Sequence, residues 1–311
     1  MNTQDYKAYK KEFSSIGIRM LISTVVILAL QSGASAILLA LFPQWQGNFA
    51  ITLVITMLPL YLIGFPISFA LLRDKNAPAI EKHSMTAGQL IIAFLMLYGI
   101  MIVGNLIGLA LTAGIGLLKG SPVQNAMVNL VSGGSLWVTA IFTVLCAPVF
   151  EEFLFRKLIC SRVVKYGEGV AVVVSGLLFG LFHMNFNQFF YAFFLGCFLA
   201  FLYVKTGNLK YTILLHMVLN FFGTVLGGII MSLDQSNPFM MIIMAVYSLC
   251  IYGMAIAGIV LLIVKRRKLT LNPGEIVIEK GQRFKTVILN VGMILFCLVL
   301  FAIMIAQAFF M

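Results

Sequence analysis

The chain has 311 residues, 61% hydrophobic and 10% charged, with 21 Lys and Arg against 10 Asp and Glu and a formal net charge of +11. That balance excludes an ordinary soluble globular domain, because apolar stretches at this density mark transmembrane helices. The excess of basic residues comes with no aromatic-plus-basic RNA or DNA motif, so no nucleic-acid partner is expected.

Nine apolar stretches follow one another: 17–42, 50–72, 87–118, 134–156, 169–186, 188–204, 210–231, 239–264 and 286–310. The first is about 26 residues long, beyond the 7–15 of a signal-peptide core, and is expected to be a retained span. With the N-terminus in the cytoplasm, every basic residue except Lys119 falls on the cytoplasmic side. That is the positive-inside pattern. It predicts an all-α polytopic transmembrane helix bundle of about eight to nine spans with a cytoplasmic N-terminus. The lipid bilayer is its expected partner, and anionic lipid the target of its net charge.

No soluble domain interrupts the pattern. The N-terminal helices occupy 1–129, a central core 130–231, and the C-terminal helices 232–311 with a basic loop at 265–285. Within that loop Asn272, Pro273 and Gly274 signal a turn, and EIVIEKG reads as a short hairpin or an extended segment. The short link Asn185–Gln188 makes its two flanking spans an antiparallel hairpin. Residues 157–168 are expected to form an interfacial helix. Five cysteines lie in or beside spans without a CxxC pair and read as packed or lipid-facing thiols.

Three motifs put polar groups where apolar ones are expected. Glu151 and Glu152 are adjacent, with Arg156 after them and Pro148 before. A carboxylate in hydrocarbon costs about 2.5–3.5 kcal/mol on insertion scales. Residues four apart on a helix share a face, so Arg156 lies on the Glu152 side and the pair can neutralise itself. Glu151 points elsewhere, has no local partner, and is the better general base. Taken alone, EExxxR also fits a charged helix end at the interface.

His183 stands near the end of its span, one turn after Phe179, and alone fits an interfacial histidine. His216 and Asn220 share one face of a third span, where an interhelical hydrogen-bond clamp is the plainer reading. His83, in the polar EKHSM stretch, reads as solvated. Polar groups buried on three spans satisfy one another only by converging. Convergence would give a cavity holding carboxylate, imidazole, amide and guanidinium, an inventory for activating water and stabilising an oxyanion.

Glu151-Glu152-Phe-Leu-Phe-Arg156, Phe179-Gly-Leu-Phe-His183 and His216-Met-Val-Leu-Asn220 stand in order on separate apolar stretches. In this they resemble the CPBP family of intramembrane proteases, also called the CAAX-protease and bacteriocin-processing, or Abi, family. The likeness covers roughly 130–230. It implies a glutamate-type endopeptidase acting on a membrane-associated peptide or protein. Glu151 with His183 would activate water, His216 and Asn220 would stabilise the oxyanion, Arg156 would orient or neutralise the glutamates, and Glu152 would support them.

Members have been read both as metalloproteases and as glutamate proteases. A Glu with two His could ligate zinc. The absence of HExxH and the glutamate-type likeness favour no cofactor. Relatives in eukaryotes and archaea cut prenylated CaaX tails, and bacterial ones are tied to peptide maturation or bacteriocin immunity. A bacterial plasma-membrane protein is expected. Two other functions compete: a scaffold or immunity protein that binds without cutting, and a proton-coupled carrier, for which no internal repeat is found. The cavity is expected in the cytoplasmic half of the bilayer.

Overall fold

The computed structural model describes residues 3–125 and 135–310. The boundary expected at 129/130 and the first residue of the 134–156 stretch lie outside them. The described residues form ten helices: α1 Thr3–Leu41, α2 Phe49–Leu72, α3 Ala87–Lys119, α4 Leu136–Tyr166, α5 Glu168–Phe182, α6 Phe186–Thr206, α7 Leu209–Met231, α8 Pro238–Lys265, α9 Lys280–Val287 and α10 Val291–Phe310. Eight are long and apolar enough to cross a membrane, and no strand occurs among the described residues.

The stretch expected as a ninth span is the exception. α5 has 15 residues, roughly 22 Å at ~1.5 Å per residue, against a hydrocarbon core of ~30 Å. Two breaks shorten it. Gly167 at φ +112° starts it, and after Phe182 the chain turns through His183, Met184 at φ +55° and Asn185. Asn185 then caps α6 by accepting from the Gln188 backbone N–H at 2.9 Å. The α5–α6 hairpin expected from the short link therefore forms. Glu168 and Lys205 pair across its open end, so it starts and finishes at the same end of the bundle.

That end carries the basic clusters. Arg162 pairs with Glu12 at 3.2 Å and with Asp74 at 3.5 Å, and Lys165 pairs with Glu12 at 3.0 Å. The loop after α8 joins them: the Ile276 N–H donates to the Lys165 carbonyl at 2.9 Å. The EIVIEKG segment bends at Glu275 and Ile276, forms no hairpin, and enters α9 at Lys280. Asn290 breaks the chain before α10, so the last span begins at Val291 and not at 286. At the other end Lys119 reaches the Ala308 carbonyl of α10 at 3.4 Å, a cation on a helix C-terminus.

α4 corrects two expectations. It runs unbroken through 157–166, so no separate interfacial helix lies there, and Arg156 sits ten residues inside its end. Glu151 is then fifteen residues, roughly 22 Å, from Tyr166. His183 is the same fifteen residues from Glu168, so the two arrive at one level.

Four stretches widen into π-helix: Leu60–Gly64, Ala140–Cys146, Phe153–Cys160 and Phe221–Leu226. Two of them run up to prolines, Pro66 and Pro148, which remove an N–H and disturb the regular ladder. α5 and α6 cross closely at Gly176 and Gly196. A Cβ on Gly196 would stand 2.8 Å from the Phe179 ring and 3.1 Å from the Gly176 Cα, so only glycine fits.

Candidate active site

The site begins with a charge taken wholly out of solvent. Glu152 and Arg156 are both 0% exposed. The helical spacing brings them together as expected, with Arg156 Nε 3.1 Å from Glu152 Oε2. The contact is an ion pair poorly aligned for a hydrogen bond. The guanidinium also donates to the Gly196 carbonyl at 3.4 Å and lies 4.7 Å from the centre of the Phe179 ring.

α7 supplies the next group. His216 Nδ1 is 3.0 Å from Glu152 Oε1, and its Nε2 is 3.7 Å from Glu151 Oε2. The imidazole thus stands between the two glutamates. A carboxylate accepts, so Nδ1 carries a proton and Nε2 faces Glu151. Glu151 has no local partner, as its face on the helix implies, and the group that approaches it is distant in sequence. Adjacent residues on a helix point ~100° apart, and a ring presenting two nitrogens can meet both.

α5 brings His183. Its Nδ1 is 2.9 Å from the Phe179 carbonyl. A carbonyl only accepts, which fixes the proton on Nδ1 and leaves the Nε2 lone pair as an acceptor. The Phe179 ring packs edge-on to both imidazoles, 4.9 Å from His183 and 5.8 Å from His216. Phe179 therefore separates the guanidinium from the two histidines and sets the tilt of each.

Asn220, one turn after His216, donates through Nδ2 to the Thr143 carbonyl at 2.7 Å. That carbonyl is bare for a local reason. The Ala147 N–H is used by the Phe142 carbonyl, and Pro148 has no N–H. The amide fills the gap and keeps a second N–H and its own oxygen. Thr143 and Thr224 hydroxyls meet at 3.2 Å beside it, and the Tyr61 hydroxyl donates to the Phe142 carbonyl at 3.0 Å.

Glu151, His183, His216 and Asn220 all line one cavity of about 320 Å³. Arg156 and Glu152 stand behind it, so the six residues chosen from the sequence come together in one place. Leu53, Met57 and Leu60 of α2, Met101 of α3 and Leu195 of α6 make its apolar walls. Three of the four π-helical stretches put a residue into the lining: Tyr61, Thr143 and Thr224. Sequence reasoning did not select these three, nor Gln188 and Tyr191, which meet at 2.8 Å on the α6 wall. A polar residue beside a proline-disturbed turn was the available signal for Thr143. Among the described residues, no three His, Cys, Asp or Glu side chains converge as the ligands of a metal ion would.

Residues 133–222 match the family model described as Rce1-like: Type II CAAX prenyl endopeptidase Rce1-like. The matched stretch contains all three motifs, so the family resemblance read from them holds for this core. No curated protein and no solved structure matches the chain.

Proposed function

From the Rce1-like match over the core, we propose that this protein is an integral-membrane endopeptidase of the glutamate type, cutting a peptide bond in a membrane-associated protein or peptide. The observation that carries the reading is His216 held between Glu151 and Glu152 at the edge of a cavity that also holds His183 and Asn220. Water sits between Glu151 and the Nε2 lone pair of His183. Its oxygen attacks the substrate carbonyl carbon while its proton passes to Glu151.

The oxyanion that forms is met by the second Asn220 N–H and by His216 Nε2–H. Glu152 holds the His216 ring and stabilises its imidazolium, the part that the aspartate plays in a serine-protease triad. Arg156 pairs with Glu152 in the interior, so the carboxylate that holds the ring has a cation of its own. Collapse of the intermediate breaks the C–N bond, and the proton held by Glu151 goes to the leaving amine. No metal is required by these steps. Localisation follows the charge pattern: the basic end faces the cytoplasm of a bacterial plasma membrane.

The test uses purified wild type and Glu151→Gln against a quenched library of membrane-proximal peptides, with and without chelator. Glu151→Gln should melt within about 1 kcal/mol of wild type and lose 10²–10⁴-fold in cleavage rate. Chelator should change nothing. Cleavage by Glu151→Gln at the wild-type rate would remove Glu151 as the base, no cleavage by either protein with cellular function preserved in Glu151→Gln would leave a binding or immunity scaffold as the better account, and zinc-restored activity after chelation would overturn the metal-free chemistry.

A further inference from the structure

Away from the active-site cavity, the outer face formed by α3, α6 and α8 carries two cavities that meet. One, of about 440 Å³, opens at the basic end with Lys205, Lys265, Lys268 and His83 at its mouth. The other, of about 520 Å³, runs deeper between the same helices and is walled by groups such as Gly99, Val103, Phe194 and Ile259. They share Phe198, Phe201 and Leu269, so they form one groove, cationic at the mouth and apolar along its length. No Asp or Glu lines either part.

The cations differ in how far they are already used. Lys205 is paired with Glu168, whereas Lys265 and Lys268 make no ion pair among the described residues. Length fits as well. From Lys205 to Phe194 α6 rises roughly 17 Å, close to the ~15 Å depth of one leaflet's hydrocarbon. A peptide in the deep part would find apolar side chains and leave its own N–H and C=O groups without partners. An amphiphile with an anionic head and hydrocarbon tail leaves nothing unmatched.

We propose that this groove is a binding site for an anionic phospholipid, its phosphate between Lys265 and Lys268 and one acyl chain along α6 between α3 and α8. The site does not depend on the peptidase reading, since it shares no lining residue with the active-site cavity.

The experiment measures binding of phosphatidylglycerol to the full chain in detergent by native mass spectrometry, with phosphatidylcholine and inorganic phosphate as comparisons. Melting temperatures are recorded for each variant. Wild type should retain phosphatidylglycerol over phosphatidylcholine. The double variant Lys265→Gln, Lys268→Gln should weaken phosphatidylglycerol about thirtyfold and remove the preference. Val103→Trp, which fills the slot from the α3 side, should weaken both lipids. The control Lys280→Gln, Lys285→Gln removes the same charge from α9, outside the groove, and should change binding less than threefold. An equal loss in the control would reduce the effect to general surface attraction and overturn the site. So would unchanged binding in the groove variants, or displacement of the lipid by inorganic phosphate.

Discussion

Two carboxylate–guanidinium clusters use arginines six residues apart on α4, and they are built for different ends. At the basic end Arg162 is shared by Glu12 and Asp74, and Glu12 also takes Lys165 and the Tyr166 hydroxyl, at 2.7 Å. Cations and anions from α1, α4 and the loop after α2 meet there. Inside, Glu152 has Arg156 on one side and His216 on the other, and the surplus is directed: the far nitrogen of His216 and the carboxylate of Glu151 both face a cavity. The first cluster ties helix ends together. The second holds an imidazole still and leaves its reactive edge uncovered.

The comparison breaks most visibly at Arg156. Arg156→Met leaves the 0% exposed Glu152 without its cation, so it should cost about 3–5 kcal/mol and abolish cleavage. Adding Glu152→Gln should recover most of the stability and none of the activity, read by thermal melts and peptide cleavage side by side. A single-variant cost under about 1 kcal/mol would show that the interior pair is not what holds this region.

Asn220→Ala comes next. It removes the donor from the Thr143 carbonyl, worth about 1–3 kcal/mol, and an oxyanion contact worth about 10²–10³-fold in rate. Loss of stability with an unchanged rate on the folded fraction would reduce Asn220 to a structural clamp.

At the basic end the Arg162 side chain is 11% exposed and Glu12 keeps Lys165, so Arg162→Met should cost about 1–3 kcal/mol, less than Arg156→Met, and leave the cleavage rate as it is. A tenfold drop in rate would mean that the two clusters are coupled. The smallest effect sharpens the contrast through salt. Raising ionic strength from 0.1 to 1 M shortens the screening length from about 10 to 3 Å. It should reduce the Arg162 difference and hardly alter that of Arg156, which is 0% exposed.

Much of the interior cluster is legible without coordinates. The i,i+4 rule pairs Glu152 with Arg156, and the depth of hydrocarbon makes any polar residue on α4, α5 or α7 conspicuous. The same reasoning loses His216 as the bridge, because its contact with Glu152 spans 64 positions and no local rule reports it. It overlooks Phe179 as the ring between cation and imidazoles, since a phenylalanine among so many carries no signal by type. It also counts α5 as a span. Hydropathy averages over His183, Met184 and Asn185, whereas the backbone turns at Met184, and the helix stops short. Arg156 misleads in the opposite sense: counted with the topology-setting charges, it belongs to the interior.

The bare carbonyl at Thr143 has a mechanical corollary. Asn220 grips it one turn away from the point where His216 grips Glu152, so α7 is fastened to α4 at two successive levels. Two fasteners one turn apart forbid both rotation and sliding: a shift of α7 by a single turn would unseat the amide and the imidazole together. These two contacts favour α4 and α7 moving together. Any widening that admits a peptide chain is then expected from the α2 side, where Leu53, Met57 and Leu60 line the chamber beside Tyr61.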